Sequence, residues 1–225
     1  MLYIWPFIVF FSWPVLLPQM SDWAILRRRL PRLATMVAIT VLMMAAVHLN
    51  TIVHPFTLAD NRHYTFYVFR ILMRHGWIKY AAVPVYVGCA WLVINALGHV
   101  RDSRGPSADV VRVSFVLVWL LATSLSVITA PLVEPRYFII PWLIWRLHVP
   151  ECALPPEPEH TDAPGKATLP SPVFSDIPLL RSLAQDSSWL ELAWYVAINI
   201  GTCYVFLYKG FLWPQEPGNI QRFMW

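Results

Sequence analysis

The densest set of reactive side chains lies between His54 and Tyr67, in the run His54-Pro55-Phe56-Thr57-Leu58-Ala59-Asp60-Asn61-Arg62-His63-Tyr64-Thr65-Phe66-Tyr67. Within a few residues it gathers the carboxylate of Asp60, the amide of Asn61, the guanidinium of Arg62, the imidazoles of His54 and His63, and the phenols of Tyr64 and Tyr67. A second polar run, Glu134-Pro135-Arg136-Tyr137, again offers a carboxylate, a guanidinium and a phenol. A carboxylate placed beside a hydroxyl is a general base. An arginine grips two anionic oxygens at once through its planar fork. The plainer alternative is that Asp60, Arg62, Glu134 and Arg136 form ion pairs that pin helix ends. Both runs border long apolar stretches, and ionisable groups near hydrocarbon are costly enough to mark function.

The rest of the chain reads as the membrane scaffold that positions these runs. Of its 225 residues 57% are hydrophobic and only 13% charged, with a mean hydropathy of +0.51. Soluble domains carry about 25% charged residues, so lipid is the solvent for much of this sequence. Twelve Trp and nine Tyr suit a protein with many water–lipid boundaries, where amphipathic rings settle. The net charge of +4 does not point to nucleic acid. Arg27, Arg28, Arg29 and Arg32 sit together between two apolar spans, which is the pattern of a cytoplasmic loop. Cys89 and Cys203 lie in apolar stretches and Cys152 in a loop, with no metal-ligand or redox spacing.

Taken in order, residues 2–17 predict a membrane helix kinked by Pro6 and Pro14. Residues 33–49 predict a second span, with Pro31 in its first turn and His48 near its end at the interface. Residues 80–98 predict a third, with Pro84 and Gly88 as kink points, and residues 110–130 a fourth. Residues 138–149 are apolar but short, and Pro141, Arg146 and His148 interrupt them. They can cross the bilayer or turn back, which leaves the side of the following segment open. Residues 150–188 predict a flexible loop, because eight of the 20 prolines fall between 150 and 178. Residues 189–208 predict the last span. The division is therefore membrane helices over 1–149 with polar loops at 50–77 and 131–137, a Pro-rich loop over 150–188, and a final helix and tail over 189–225. Two crossings separate the polar loops, so both are expected on one side, opposite the arginine loop.

Three stretches carry a family resemblance. The run from His54 to Arg70, the signature Glu134-Pro135-Arg136-Tyr137-Phe138-Ile139-Ile140-Pro141, and the ending Ile220-Gln221-Arg222-Phe223-Met224-Trp225 together resemble the eukaryotic α-1,2-glucosyltransferases of the endoplasmic reticulum. That family adds the third, terminal glucose to the lipid-linked oligosaccharide of N-glycosylation. The resemblance implies an all-α, polytopic membrane helical bundle, the C-terminal half of a GT-C-type multi-span glycosyltransferase. It implies multi-pass residence in the endoplasmic reticulum membrane, with both polar runs in the lumen. It implies dolichyl phosphate glucose as donor, a dolichyl-diphosphate oligosaccharide as acceptor, and membrane lipid around both, with no nucleic acid partner, cofactor or metal.

On that reading Arg62 and Arg136 bind phosphate, and Asp60 and Glu134 orient them or accept sugar hydroxyls. Asn61, His63, Tyr64, Tyr137 and His54 complete the substrate-binding set. The reaction inverts a β-linked donor into an α-1,2 product, so it needs a general base at the acceptor hydroxyl and positive charge at the departing phosphate. The base is expected in a first luminal loop outside this chain, with Asp60 as the substitute within it. Two rival readings are a transporter or channel subunit and a non-catalytic membrane interaction protein. The clustering of charge at span ends disfavours the first.

Overall fold

A computed structural model describes residues 2–21, 27, 30–51, 55, 62–98, 111–128, 134–149, 187–212 and 217–223. These form an all-α membrane bundle closed by one small hairpin. The helices are α1 (Ile4–Ser21), α2 (Leu33–Asn50), α3 (Tyr64–Arg74), α4 (Ile78–Ala81), α5 (Val83–Leu97), α6 (Val113–Ile128), α7 (Arg136–His148) and α8 (Ser187–Tyr208). Strands β1 (Gly210–Leu212) and β2 (Ile220–Arg222) follow, antiparallel, with Phe211 opposite Gln221. Three stretches are long and apolar enough to cross a membrane: Leu33–Asn50, Ile78–Leu97 and Ser187–Tyr208. Ile4–Leu17 and Val113–Ile128 are shorter apolar helices.

Proline chemistry shapes α1 and the α4–α5 junction. Pro6 falls in the first turn of α1, where its missing N–H is not needed. Pro14 lies inside the helix and withholds the N–H that the Phe10 carbonyl would receive. The backbone breaks there, with Ser12 at φ −117°, ψ 16°. Pro84 likewise withholds a donor from the Tyr80 carbonyl, and the helix is interrupted at Ala82. Gly88, expected as a second kink point, lies within unbroken α5. Pro31 also sits outside the expected first turn: Arg32 is the N-cap and α2 opens at Leu33.

The core gathers around α1, which packs against α5, α7 and α8. Ile4, Ile8, Leu16, Val83, Val93, Val127 and Trp145 are fully buried. Lipid supplies no hydrophobic drive between helices, so close packing and interhelical hydrogen bonds hold such bundles. Tryptophan provides many of both. Trp119 Nε1 donates to the Pro141 carbonyl at 3.0 Å, Trp145 Nε1 to Val93 at 2.9 Å, and Trp194 Nε1 to Phe10 at 2.9 Å. The interfacial role expected for the aromatics therefore fits Trp77 and Trp189, which are exposed, but not Trp5, Trp119 or Trp145, which are buried. Helix α2 is apolar around its circumference, yet only Met43 and Val47 are buried. That is the composition of a membrane-spanning helix.

These contacts fix the relative direction of each helix. The His148 ring, at the end of α7, stacks on Phe115 near the start of α6, with centroids 3.9 Å apart. Further along, Trp119 of α6 bonds Pro141 of α7. Thirteen residues give about 20 Å of helix, short of a ~30 Å hydrocarbon core, yet α7 returns alongside α6 to the side where α6 began. The two helices are antiparallel, the arrangement expected of the crossing path of the two open to residues 138–149. Helix α8 opens on that same side, where Glu191 meets Arg146 near the end of α7.

Candidate functional site

The described part of the first polar run from Arg62 on, the run Glu134–Tyr137 and the C-terminal strands lie at one end of the bundle, here called the motif end. Helix α3 follows the first run. Its Phe69 ring meets Tyr3, just before α1, with centroids 5.4 Å apart, and Tyr3 meets Tyr86 near the start of α5 at 5.9 Å. One turn into α1, Phe7 meets Phe138 in the first turn of α7 at 5.4 Å. The head of α1 thus stands between the helices that follow the two runs. Tyr67 of α3 also meets Phe223, just beyond β2, with centroids 6.0 Å apart.

Arg62 and His63 occupy the turn into α3, half-buried, with His63 as N-cap in extended conformation. The backbone of Tyr64 opens the helix. Glu134 is half-buried and pairs with Arg136, whose side chain is 69% exposed. The Arg136 guanidinium also lies 5.8 Å from the centre of the exposed Tyr137 ring. Arg136 is therefore matched to a carboxylate two residues away while most of its side chain still faces outward. His54, Asp60 and Asn61 lie outside the described residues, as does the side chain of Tyr64. Neither His63 nor Pro135 closes its helix with a side-chain cap bond. The first-turn amides of Tyr137, Phe138 and Phe66 donate to the Glu134, Pro135 and His63 carbonyls, and what the helix ends offer an anion is the partial positive charge of the dipole.

Among the described residues this end is rich in cations. Arg62, Arg70, Arg74 and Lys79 come from the α3 region, Arg136 from α7, and Lys209 and Arg222 from the end of α8 and the hairpin. Against these seven cations stands Glu134, the one carboxylate at this end among the described residues. The simple charge rule would put such a surface in the cytoplasm, but Arg32, just before α2, lies at the opposite end. Helix α3 itself is amphipathic, with Phe66 buried and Arg70, Arg74 and Ile71 exposed. That is the form of a helix lying in the membrane interface. Among the described residues no three His, Cys, Asp or Glu side chains gather as a metal site.

Two polar features went unrecognised in the sequence. Arg222 Nη1 donates to the Phe206 and Leu207 carbonyls at 2.7 and 2.5 Å, closing the C-terminus of α8. At the opposite end, Arg146 forks onto Glu191, with Nε to Oε1 at 2.9 Å and Nη2 to Oε2 at 2.8 Å. Tyr195 donates to Glu191 at 2.7 Å, and nearby Trp142 donates to buried Ser12 at 2.8 Å. This second cluster ties α7 to α8 and to the kink of α1, far from the motif end. His48, expected at an interface, bonds the Tyr80 hydroxyl at 2.9 Å and joins α2 to α4.

Comparison with known proteins places the sequence. A family described as the DIE2/ALG10 family matches residues 1–147. Aspergillus fumigatus has a relative named Dol-P-Glc:Glc(2)Man(9)GlcNAc(2)-PP-Dol alpha-1,2-glucosyltransferase, 40% identical, which the whole of this chain matches over 49% of the relative. Proteins of the same name from Emericella nidulans and Mus musculus are 38% and 32% identical, with 100% and 99% of this chain covered, and 49% and 38% of theirs. The chain thus spans about half the length, or less, of these curated relatives. No solved structure matches it. With its polar runs, its bundle and these relatives in agreement, the chain belongs to the DIE2/ALG10 family.

Proposed function

We propose that this chain is the substrate-phosphate-binding part of a dolichyl-phosphate-glucose-dependent α-1,2-glucosyltransferase of the endoplasmic reticulum membrane. It acts in adding the terminal glucose to the dolichyl-diphosphate oligosaccharide. The observation that carries this reading is the motif end, where seven cations face one described carboxylate beside two helix N-termini without side-chain caps. Both substrates are phosphate esters of a membrane lipid, and such a surface suits them. Their tails stay in hydrocarbon, while their charged heads lie at the level of α3 and the start of α7.

In this reading Arg136 and Arg62 bind the donor phosphate and stabilise the charge that grows on it as the glycosidic bond breaks. Glu134 holds the Arg136 guanidinium in place. His63, Tyr64, Asn61, Tyr137 and His54 contact the sugar or phosphate. The general base is supplied by another part of the enzyme, with Asp60 the substitute within this chain. Motif loops in the lumen follow from the cytoplasmic assignment of the arginine loop.

The test is terminal-glucose transfer in microsomes. Arg136→Ala and Arg62→Ala should each lower kcat/KM for the donor by about 100-fold, near 2.7 kcal/mol of transition-state stabilisation. Arg136→Lys should recover only part, because an ammonium is a point charge and not a fork. Normal transfer by both alanine variants would overturn the assignment.

A further inference from the structure

The C-terminal hairpin touches two different elements, α8 and α3. Arg222 of β2 reaches back to α8 and donates from one nitrogen to the Phe206 and Leu207 carbonyls. Its guanidinium also lies 5.9 Å from the Phe206 ring centre. These are carbonyls at the last turn of a helix, where a cation is favoured by the helix dipole as well as by the hydrogen bonds. The next residue, Phe223, lies against Tyr67 of α3. Tyr67 is four residues beyond His63, one helical turn from the head of α3.

A ribbon of two three-residue strands is marginal in water without further packing. Its position draws on its contacts with the bundle, these among them. Strand β1 follows α8 after Lys209 alone, whose N–H still bonds the Val205 carbonyl at 3.0 Å. The first strand is thus set by the helix, and Arg222 sets the second. What is left for the hairpin to hold is α3. That helix meets the bundle through Phe69, while Val68 and Ile71 are exposed.

We propose that the hairpin is a strap holding α3 against the end of α8, with Arg222 and Phe223 as positioning residues for Arg62 and His63. The strap stands on geometry alone. Its effect on turnover rests on the donor-binding reading above. A shift of α3 changes the placement of Arg62 and His63 without removing either, so it weakens donor binding in ground state and transition state alike.

The experiment uses full-length enzyme in microsomes with its native cysteines replaced. Cysteines at Tyr67 and Phe223 are bridged by a short bifunctional methanethiosulfonate. Bridging should be rapid with Arg222 present, several-fold slower with Arg222→Ala, and restored by Arg222→Lys, which can still donate to both carbonyls. In enzyme that retains Tyr67 and Phe223, Arg222→Ala should raise the donor KM by about tenfold with kcat nearly unchanged. Arg222→Lys should bring KM back. Bridging that ignores Arg222→Ala overturns the strap. Bridging that slows while KM stays at the parent value overturns the positioning role. A parent enzyme without transfer activity would reject the glucosyltransferase reading, and the bridging rates, read without substrate, would still decide the strap.

Discussion

The indole of Trp194 donates to the Phe10 carbonyl at 2.9 Å, and Phe10 is the residue whose helical partner Pro14 removes. A helix from the far end of the chain thus supplies the donor that a proline near the beginning withholds. Phe10 and Trp13 also flank the Trp194 ring edge-to-face, at 5.3 and 5.7 Å. The kink in α1 and the docking of α8 are one arrangement. Only replacement of Pro14 would give the Phe10 carbonyl a helical N–H, which would then compete with the indole for this acceptor.

That coupling is measurable. Trp194→Phe keeps most of the ring packing and loses the N–H, so it should cost about 1 kcal/mol, the usual scale of an interhelical hydrogen bond in a membrane protein. Pro14→Ala restores a backbone N–H for Phe10. In that background Trp194→Phe should cost less than in the parent. Thermal unfolding of the four proteins in detergent closes the double-mutant cycle. Equal costs in both backgrounds would show that the two residues act independently.

The Arg146–Glu191 pair should behave differently, because it is a buried charge pair with side-chain exposures of 20% and 10%. Removing one partner leaves the other charge in a low-dielectric setting, which costs about 3–5 kcal/mol. Arg146→Met alone and Glu191→Leu alone should each sharply lower the unfolding temperature. The double variant should recover much of the loss, since no unmatched charge remains. A double variant as unstable as the sum of the singles would mean that the two residues act independently and that their charges do not balance each other.

The sequence made the helices legible and hid the contacts between them. Span limits read from hydropathy fall within a few residues of the observed ends, because leaving lipid ends an apolar run. Pro14 and Pro84 marked breaks for a covalent reason that needs no tertiary knowledge. The common side of the two polar runs followed from counting crossings. Trp145 was a different matter: an interfacial tryptophan and one bonded to the Val93 carbonyl have the same local sequence. Arg146 looked like an interruption because its partner, Glu191, lies beyond the Pro-rich segment. Arg222 closes α8 only because a hairpin folds back, and the hairpin is too short for alternation to reveal it. In the candidate site the residue types were legible, but the local pairing of Arg136 with Glu134 was not separable from a pairing across the two runs.

The turn of the hairpin offers a narrower test. Gly218 has φ +95°, the only positive φ among the described residues, and it follows Pro217 in the pattern of a type II turn. A Cβ there meets no neighbour within 4 Å, so any cost of substitution is conformational and not steric crowding. Gly218→Ala should destabilise the hairpin by about 1 kcal/mol, and Gly218→Asn by less, because asparagine tolerates this region better. Global unfolding should barely move. The bridging rate between cysteines at Tyr67 and Phe223 should fall for Ala and less for Asn. An unchanged rate for both would show that the hairpin is set entirely by its attachments and not by its turn.

The direction of α7 carries the most exposed prediction about architecture. His148 stacks on Phe115, and Arg146 forks onto Glu191, so the end of α7 and the start of α8 share the side of the arginine loop. Tyr67 meets Phe223, so the end of α8 shares the side of α3. Single cysteines at the exposed positions Leu30 and Ser188 should therefore react with an impermeant maleimide in sealed microsomes. Cysteines replacing the exposed Trp77 and Lys209 should react only after the membrane is opened. Position 188 decides between the two paths open to residues 138–149. Were it protected together with position 77, α7 would have to turn back within the bilayer, and the ring stack between His148 and Phe115 would place the start of α6 on the wrong side as well.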